Sequence, residues 1–274
     1  MVVFGNPEFW QKAAEAFPKC FEVVFRVNEA LNSLTTRAYA SVEPYQKVIL
    51  NLGMLTGTSM TELIALVGNG FGHGAMKIAR GMLETAINAE YLRRFPAECD
   101  DYLAWGWVEH HKLPNYMRNN APDLLNQVSP EKIRRGEEEF ERVRPRFEYT
   151  TGKGETKLRG SWCSLDLGSR AEKTDFQEAY RIIYPLASRI FHGSFGGLAM
   201  HFDLEQDQHR IEVPPSLNWC GEALIGGHLC TVKVVETLGK TFATEPCHPI
   251  ESLVQDYHYA WGKPQEPRPE SSRA

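Results

Sequence analysis

Apolar residues recur every three to four positions along most of the chain, which is the spacing of one face of an α-helix. The strongest patterns of this kind cover residues 74–95 and 174–192. Further amphipathic segments lie at residues 9–34, 97–112, 130–144, 216–238 and 250–261. Strand-like runs are few and short. The sequence therefore predicts an all-α helical bundle in which residues 74–95 and 174–192 form the two central helices.

Two segments before and between these helices have weaker patterns. Residues 44–55 predict one helix, and Ser59 with Glu62 resembles a capping box that would begin another. Residues 149–161 are rich in glycine, lysine and threonine, and they predict a loop.

The last third of the chain contains two irregular stretches. Residues 203–215 alternate polar and apolar side chains, which predicts a short hairpin or irregular insertion. Residues 262–274 are rich in proline, glutamate and serine, and they predict a disordered tail. A single helical domain is therefore expected over residues 1–261.

Each predicted central helix carries a row of polar residues that step by about one helical turn. Such spacing places each row on a single face of its helix. Polar groups in an apolar stripe are costly unless they find partners, so we expect the rows to face each other and line a polar pocket. The rows consist of Arg80, Glu84, Asn88 and Tyr91 on one helix, and Tyr184, Ser188 and His192 on the other.

These residue types predict candidate roles. Arg80 would hold an anion such as a phosphate or carboxylate. Glu84 would orient His192 and favour its charged form, so that His192 could transfer protons near neutral pH. The opposite interpretation stays open, because buried polar networks often only fix the register of packed helices. The candidate ligand-binding residues are Asn88, Tyr91, Tyr184 and Ser188.

The same residues carry a resemblance to a known family. Residues 75–91, AMKIARGMLETAINAEY, followed a hundred residues later by Tyr184-x-x-x-Ser188-x-x-x-His192, resemble the domain-of-unknown-function 5677 family. That family combines an Arg-x-x-x-Glu helix with a Tyr-x-x-x-Ser-x-x-x-His helix in bacterial, helical proteins. The resemblance covers about residues 45–200. It implies the fold and the position of the site, but no activity.

A more distant similarity is to the HEPN helical families. Several of these are ribonucleases in which an arginine is followed by a histidine four to six residues on. Here only two residues separate Arg189 from His192, so Arg80 would have to replace the arginine from the neighbouring helix. The similarity implies a ribonuclease hypothesis, with RNA or a small anionic ligand as the partner. The alternative is a non-enzymatic helical interaction protein whose polar rows are structural.

A glycine-rich segment offers a competing motif. Gly70-x-Gly72-x-x-Ala75 matches a relaxed dinucleotide-binding fingerprint. That fingerprint requires a strand before it and a second strand ending in an acid about 20 residues on, and the chain predicts helices instead. We therefore expect a helix–helix turn, with a nicotinamide-dependent enzyme as a weaker alternative.

Metal and cofactor sites are not predicted. In Glu109-His110-His111 the adjacent histidines point about 100° apart on a helix, so they cannot easily share one metal. A metal between Glu84 and His192 would be repelled by Arg80 on the same face.

Composition narrows the classes of protein. The chain of 274 residues has 30 basic and 35 acidic residues, so its net charge of −5 excludes a globally basic nucleic-acid binder but leaves room for a local basic groove. Its six cysteines are scattered without a Cys-x-x-Cys pair, which favours reduced thiols in the cytoplasm. Charge interrupts every apolar run before about 18 residues, so no membrane span is expected. A homodimer is common for such bundles, and we keep it as an expectation.

Overall fold

The protein is seen in a computed structural model that describes residues 5–192 and 215–262. These residues are mostly helical, so the predicted all-α class is confirmed. The α-helices are α1 (Pro7–Ala16), α2 (Pro18–Thr35), α3 (Pro44–Gly68), α4 (Gly72–Arg94), α5 (Cys99–Asn120), α6 (Pro122–Leu125), α7 (Pro130–Val143), α8 (Leu167–Lys173), α9 (Gln177–Phe191), α10 (Cys220–Phe242) and α11 (Ile250–Trp261). Two short strands, β1 (Glu148–Thr150) and β2 (Thr156–Leu158), form an antiparallel hairpin.

The chain divides into two compact units. The first consists of Met1–Arg94 and Arg170–Ala274, and the second of Phe95–Ser169. The single domain that the sequence predicts over residues 1–261 is not tested by this division and stays a prediction. The predicted insertion at 203–215 lies, except for Pro215, outside the described residues, and so does the predicted tail beyond Gly262.

Helix α4 lies at the centre of the first unit, as the sequence predicts. It packs against α3, α9 and α10, and its buried face combines alanines with methionine and leucine side chains. Its contacts with α3 and α10 are more extensive than those with α9. Helix α10 approaches α3 closely, because a Cβ added at Gly227 would lie 2.7 Å from Leu63 Cδ1. The core is therefore built on α3, α4 and α10, and α9 packs against α4.

Helix α3 is one continuous helix where the sequence suggested two. It begins at Pro44 with a capping box, in which the backbone N–H of Glu43 donates to Gln46 Oε1 at 2.9 Å. Gly57 interrupts neither the helix nor its packing, since it lies buried beside Leu31. The predicted second start at Ser59 is wrong because the backbone there is already helical.

By length and composition, α3 is the one helix in the described part of the chain that could cross a membrane. Half of its most apolar stretch is buried within the protein. The match is weak evidence of a span, because the core helix of a bundle meets the same criteria.

The turn between α3 and α4 requires glycine at two positions. Gly70 adopts a φ of +75°, which favours glycine. Gly72 lies against the chain before α10, where an added Cβ would meet the carbonyl oxygen of Asn218 at 1.9 Å. A helix rather than a strand precedes these glycines, so the dinucleotide-binding interpretation is wrong and the helix–helix turn is confirmed.

The second unit contains α5, α6, α7 and the hairpin. Helices α5 and α7 pack together, and His111 of α5 stacks on Phe140 of α7 with ring centroids 3.8 Å apart. The predicted loop at 149–161 is largely the β1–β2 hairpin, whose turn includes Gly154 at a φ of +78°.

The helix predicted at 174–192 begins later, at Gln177. Asp175 adopts a left-handed φ of +60°, which ends the turn that follows α8. Phe176 then precedes the first helical residue of α9 without a side-chain cap.

Candidate functional site

Arg80 of α4 lies at the centre of a polar cluster between α4 and α9. Its Nε donates to Glu84 Oε1 at 3.1 Å, and its NH2 donates to the hydroxyl of Tyr184 at 3.0 Å. Its NH1 lies 3.5 Å from Nε2 of His192. The structure thus brings together four of the seven predicted site residues, which we call the Arg80 cluster: Arg80, Glu84, Tyr184 and His192.

Two aromatic rings hold the guanidinium from its faces. The Arg80 guanidinium carbon lies 4.6 Å from the ring centroid of Tyr184 and 4.8 Å from that of Phe191. Such cation–π contacts stabilise a planar cation, and Tyr184 is in turn stacked on Tyr180. The polar rows in the sequence do not identify Phe191, because it is apolar. It directly precedes His192, the last polar residue of the α9 row.

The cluster leaves part of the guanidinium open. Arginine has five N–H donors, and the three contacts named above use three of them. Each terminal nitrogen of Arg80 therefore keeps one N–H without a partner among the described residues. His192 is exposed, and the Glu84 side chain is 40% exposed against 15% for Arg80. Within residues 5–192 and 215–262, the cluster is thus a guanidinium with two unpaired N–H donors beside an exposed imidazole.

Arg80, rather than Glu84, faces the imidazole of His192. Glu84 bonds to the Nε side of Arg80, while Nε2 of His192 points at the other end of the same guanidinium. Because arginine only donates, this 3.5 Å contact is a hydrogen bond only when Nε2 accepts and the ring proton lies on Nδ1. Glu84 was predicted to orient His192. In the structure it bonds to Arg80, so it can orient the imidazole only by holding Arg80.

Three predicted residues lie outside the Arg80 cluster. Asn88 accepts a hydrogen bond through Oδ1 from the buried Arg170 of α8, a residue that the sequence analysis missed. Tyr91 is buried in the core at 2% exposure. The buried hydroxyl oxygen of Ser188 has no hydrogen-bond partner among the described residues.

The family model for DUF5677, a family of unknown function, matches residues 46–210, which is more than half of the chain. The chain belongs to the DUF5677 family. The matched segment runs from α3 through α9 and includes every member of the Arg80 cluster. Comparisons with curated proteins and with solved structures find no match.

This DUF5677 chain contains a second cluster at the end of α4. Glu90 Oε1 accepts from Arg93 and Arg94, each at 2.7 Å, and Oε2 accepts from Arg93 at 2.8 Å and from Thr237 of α10 at 3.0 Å. The Glu90 side chain is only 9% exposed. We call Glu90, Arg93, Arg94 and Thr237 the Glu90 cluster. Its signal in the sequence was the spacing of Glu90, Arg93 and Arg94 by three and four residues.

Hydrogen bonding decides the charge of Glu90. Burial raises the pKa of this carboxyl, but the hydrogen bonds from Arg93, Arg94 and Thr237 and the charge of Arg93 together outweigh burial and hold the pKa below its usual value. Arg94 also donates to the carbonyl of Lys173 at 2.9 Å and to the carboxylate of Asp175. The Glu90 cluster therefore joins α4 to α10 and to the turn between α8 and α9.

Proposed function

We propose that the Arg80 cluster binds a phosphate group of single-stranded RNA and that His192 transfers protons there. The observation that carries the proposal is the Arg80 guanidinium. Two rings and a carboxylate hold it in place, while each of its terminal nitrogens has one N–H without a partner in the described part of the chain. A guanidinium with donors on both terminal nitrogens matches the oxygen pair of a phosphate.

The residues of the cluster supply the parts of a metal-independent cleavage. When the phosphate takes the NH1 donor of Arg80, Nε2 of His192 is released to take the proton of a ribose 2′-hydroxyl, and the oxygen attacks the adjacent phosphorus. The bond from phosphorus to the 5′-oxygen breaks, and that oxygen takes a proton from water. A 2′,3′-cyclic phosphate remains, and His192 returns its proton to solvent. Arg80 stabilises the negative charge that develops on the phosphoryl oxygens.

A bacterial, cytoplasmic setting belongs to this proposal. All six cysteines are free, and five of them are buried. Unpaired thiols are typical of proteins in reducing compartments, which supports the location.

Binding and cleavage of a labelled single-stranded RNA test the proposal. Fluorescence anisotropy gives the dissociation constant, and gel electrophoresis gives the cleavage rate. We expect Arg80→Gln to raise the dissociation constant at least tenfold, about the effect of losing one charge-assisted hydrogen bond. We expect His192→Ala to bind RNA but to lose cleavage by about a hundredfold or more.

The matched control is Arg181→Gln, which removes an exposed arginine of α9 that lies outside the Arg80 cluster. We expect Arg181→Gln to behave like the wild type. If the wild type leaves RNA intact and unbound, or if His192→Ala cleaves at the wild-type rate, the ribonuclease proposal is wrong.

A second candidate function is structural, in which the cluster only fixes α9 on α4. The contacts of Arg80 with Glu84 and Tyr184, together with its 15% exposure, favour this alternative. It predicts that Glu84→Gln and His192→Ala each lower the free energy of unfolding by more than about 2 kcal/mol. The protein would then act as a helical interaction protein, and RNA would have no effect on either variant.

A further inference from the structure

Phe191 is a large apolar side chain that faces solvent at the end of α9. It is 54% exposed, although the helix that it ends buries Ile183, Ala187 and Ile190. A single exposed apolar residue is common on protein surfaces and by itself indicates no ligand. Phe191 differs from such residues in what its ring touches.

The ring of Phe191 contacts both residues to which the proposed function gives a chemical role. The guanidinium carbon of Arg80 lies over the ring, 4.8 Å from its centroid. The imidazole of His192 meets the ring at a centroid distance of 5.1 Å and an interplanar angle of 84°. More than half of Phe191 stays open to solvent beside these two contacts, so the residue has area for a further planar group.

A row of planar groups along α9 ends at this exposed residue. Tyr184 and Phe191 are seven positions apart, which is about two turns or about 10 Å along the helix. They therefore hold the Arg80 guanidinium from two sides, and Tyr180 stacks on Tyr184 at 4.8 Å and 24°. The two tyrosines are half-buried. Phe191 is thus the end of the row that another planar group can join.

A nucleobase is the planar group that the neighbouring residues favour at this end. The proposed function places a phosphate on Arg80 and a ribose 2′-hydroxyl at His192. In a nucleotide, the base is attached to the sugar carbon next to the one that carries this hydroxyl. Because the rings of Phe191 and His192 are in contact, the base of that nucleotide comes close to Phe191. Nucleobases stack favourably on aromatic side chains.

We propose that Phe191 stacks on the base of the nucleotide whose 2′-hydroxyl meets His192. Phe191 has this role only if RNA binds at the Arg80 cluster, so the proposal rests on the proposed function. Stacking on an aromatic side chain tolerates every base, since each has a π-face. A base inside a duplex is already paired and stacked, and it must leave the duplex to reach Phe191. Phe191 therefore selects unpaired nucleotides at the cleaved position without reading their sequence.

An oligonucleotide with one unmodified ribonucleotide tests the proposal. In a 2′-O-methyl RNA strand, only that ribonucleotide has the 2′-hydroxyl that cleavage needs, so the strand is cut at one known position. A second strand is identical but has an abasic ribose at that position. The ratio of the two kcat/KM values, with base over without base, measures the contribution of the base. We expect a ratio of about ten for the full-length wild type, which is typical of one stacked base.

Phe191→Ala separates stacking on the base from support of Arg80. If the ring stacks on the base, the variant loses activity on the strand with the base, and we expect its ratio to fall to about one. If the ring only holds Arg80, the variant loses activity equally on both strands and keeps the wild-type ratio. Phe191→Trp retains a stacking surface, so we expect it to retain the ratio. Circular dichroism checks the fold of each variant.

The matched control is Ile182→Ala, which removes an apolar side chain of α9 that is 68% exposed and lies outside the Arg80 cluster. We expect this variant to keep both the wild-type rates and the wild-type ratio. A change in its ratio as large as that of Phe191→Ala would overturn the proposal, because the effect would then not belong to Phe191.

The remaining outcomes distinguish this proposal from the proposed function. A wild-type ratio of about one overturns stacking on the base but leaves the ribonuclease proposal standing. A Phe191→Ala variant that keeps the wild-type ratio also overturns stacking, because the base then contacts another residue. A wild type that cuts neither these strands nor ordinary RNA overturns the proposed function, and the role of Phe191 is overturned with it.

Discussion

Helix α4 carries two arginine–glutamate clusters that differ in how far they are closed. In the Arg80 cluster the arginine is at the centre, its carboxylate partner is 40% exposed, and two of its N–H donors have no partner among the described residues. In the Glu90 cluster the carboxylate is at the centre, is 9% exposed, and accepts four hydrogen bonds from two arginines and a threonine.

The difference shows that one sequence pattern can be closed to different extents. An arginine and a glutamate four residues apart occur in both clusters, with the order reversed. Closure is decided by what packs over them: α10 supplies Thr237 above Glu90, while Arg80 meets the last turns of α9 and the exposed His192. A buried, fully paired carboxylate contributes to stability, whereas a pinned cation with spare donors is suited to binding.

The largest expected difference is in stability after loss of each carboxylate. Glu90→Ala removes the partner of Arg93 and Arg94, and we expect it to lower the free energy of unfolding by about 3 kcal/mol, the low end for a broken buried pair because the arginines are partly exposed. Glu84→Ala breaks an exposed pair and should cost about 0.5 kcal/mol. Urea unfolding measures both, and equal losses would remove the distinction between the two clusters.

At low pH, Glu90 should no longer stabilise the protein more than a glutamine at the same position. Because its folded pKa lies below the usual value, Glu90 stabilises the protein above that usual value and loses the contribution as pH falls through the folded pKa. The stability difference between the wild type and Glu90→Gln should therefore be constant near neutral pH and shrink below about pH 4.5.

His228 titrates in a neighbouring pH range, but its effect on stability is the same in the wild type and in Glu90→Gln. Burial lowers the pKa of His228 to about 4, so the unfolded chain binds its proton first and stability falls as pH drops from about 6.5 to 4. The wild type and Glu90→Gln share this loss. A difference that stays constant down to pH 3 would show that the pKa of Glu90 is not lowered in the fold.

A smaller effect is expected from the hydrogen bond that closes the Glu90 cluster. Thr237→Val keeps the shape of the side chain but removes its hydroxyl donor, and we expect a loss of about 1 kcal/mol in the free energy of unfolding. Thr85→Val, which removes a partly exposed hydroxyl from α4, is the control and should change stability by less than about 0.5 kcal/mol.

The smallest stability effect is expected at the open cluster. His192→Ala removes an exposed ring at a contact of 3.5 Å, so its free energy of unfolding should stay within about 0.5 kcal/mol of the wild type. Thermal unfolding checks this outcome. A large loss at His192 would make the Arg80 cluster a structural one, like the Glu90 cluster.

The helical pattern was sufficient to predict the all-α class and the central position of α4. It also predicted that Arg80, Glu84, Tyr184 and His192 share one region, because the step of one turn fixes the face of each row. Periodicity does not say where a helix begins, however. The left-handed Asp175 delays α9, so Asn88 meets Arg170 of α8 instead of a residue of α9.

The remaining errors have physical causes too. The local spacing of Glu90, Arg93 and Arg94 was overlooked, and their fourth partner, Thr237, lies far away in the chain on α10. The division of α3 into two helices overvalued a local cap at Ser59, where tertiary packing around Gly57 keeps the helix continuous. Local propensity is a weak signal when a helix is buried along one face.

The contacts of Arg94 also bear on changes in the length of the chain. The first stretch of the first unit ends at Arg94, whose guanidinium holds the Lys173 carbonyl and the Asp175 carboxylate just after the chain returns to that unit. The chain that leaves the first unit after Arg94 thus returns to it beside the same residue. A change of length within residues 95–169 therefore leaves these contacts of Arg94 in place, because both of its partners lie outside that stretch.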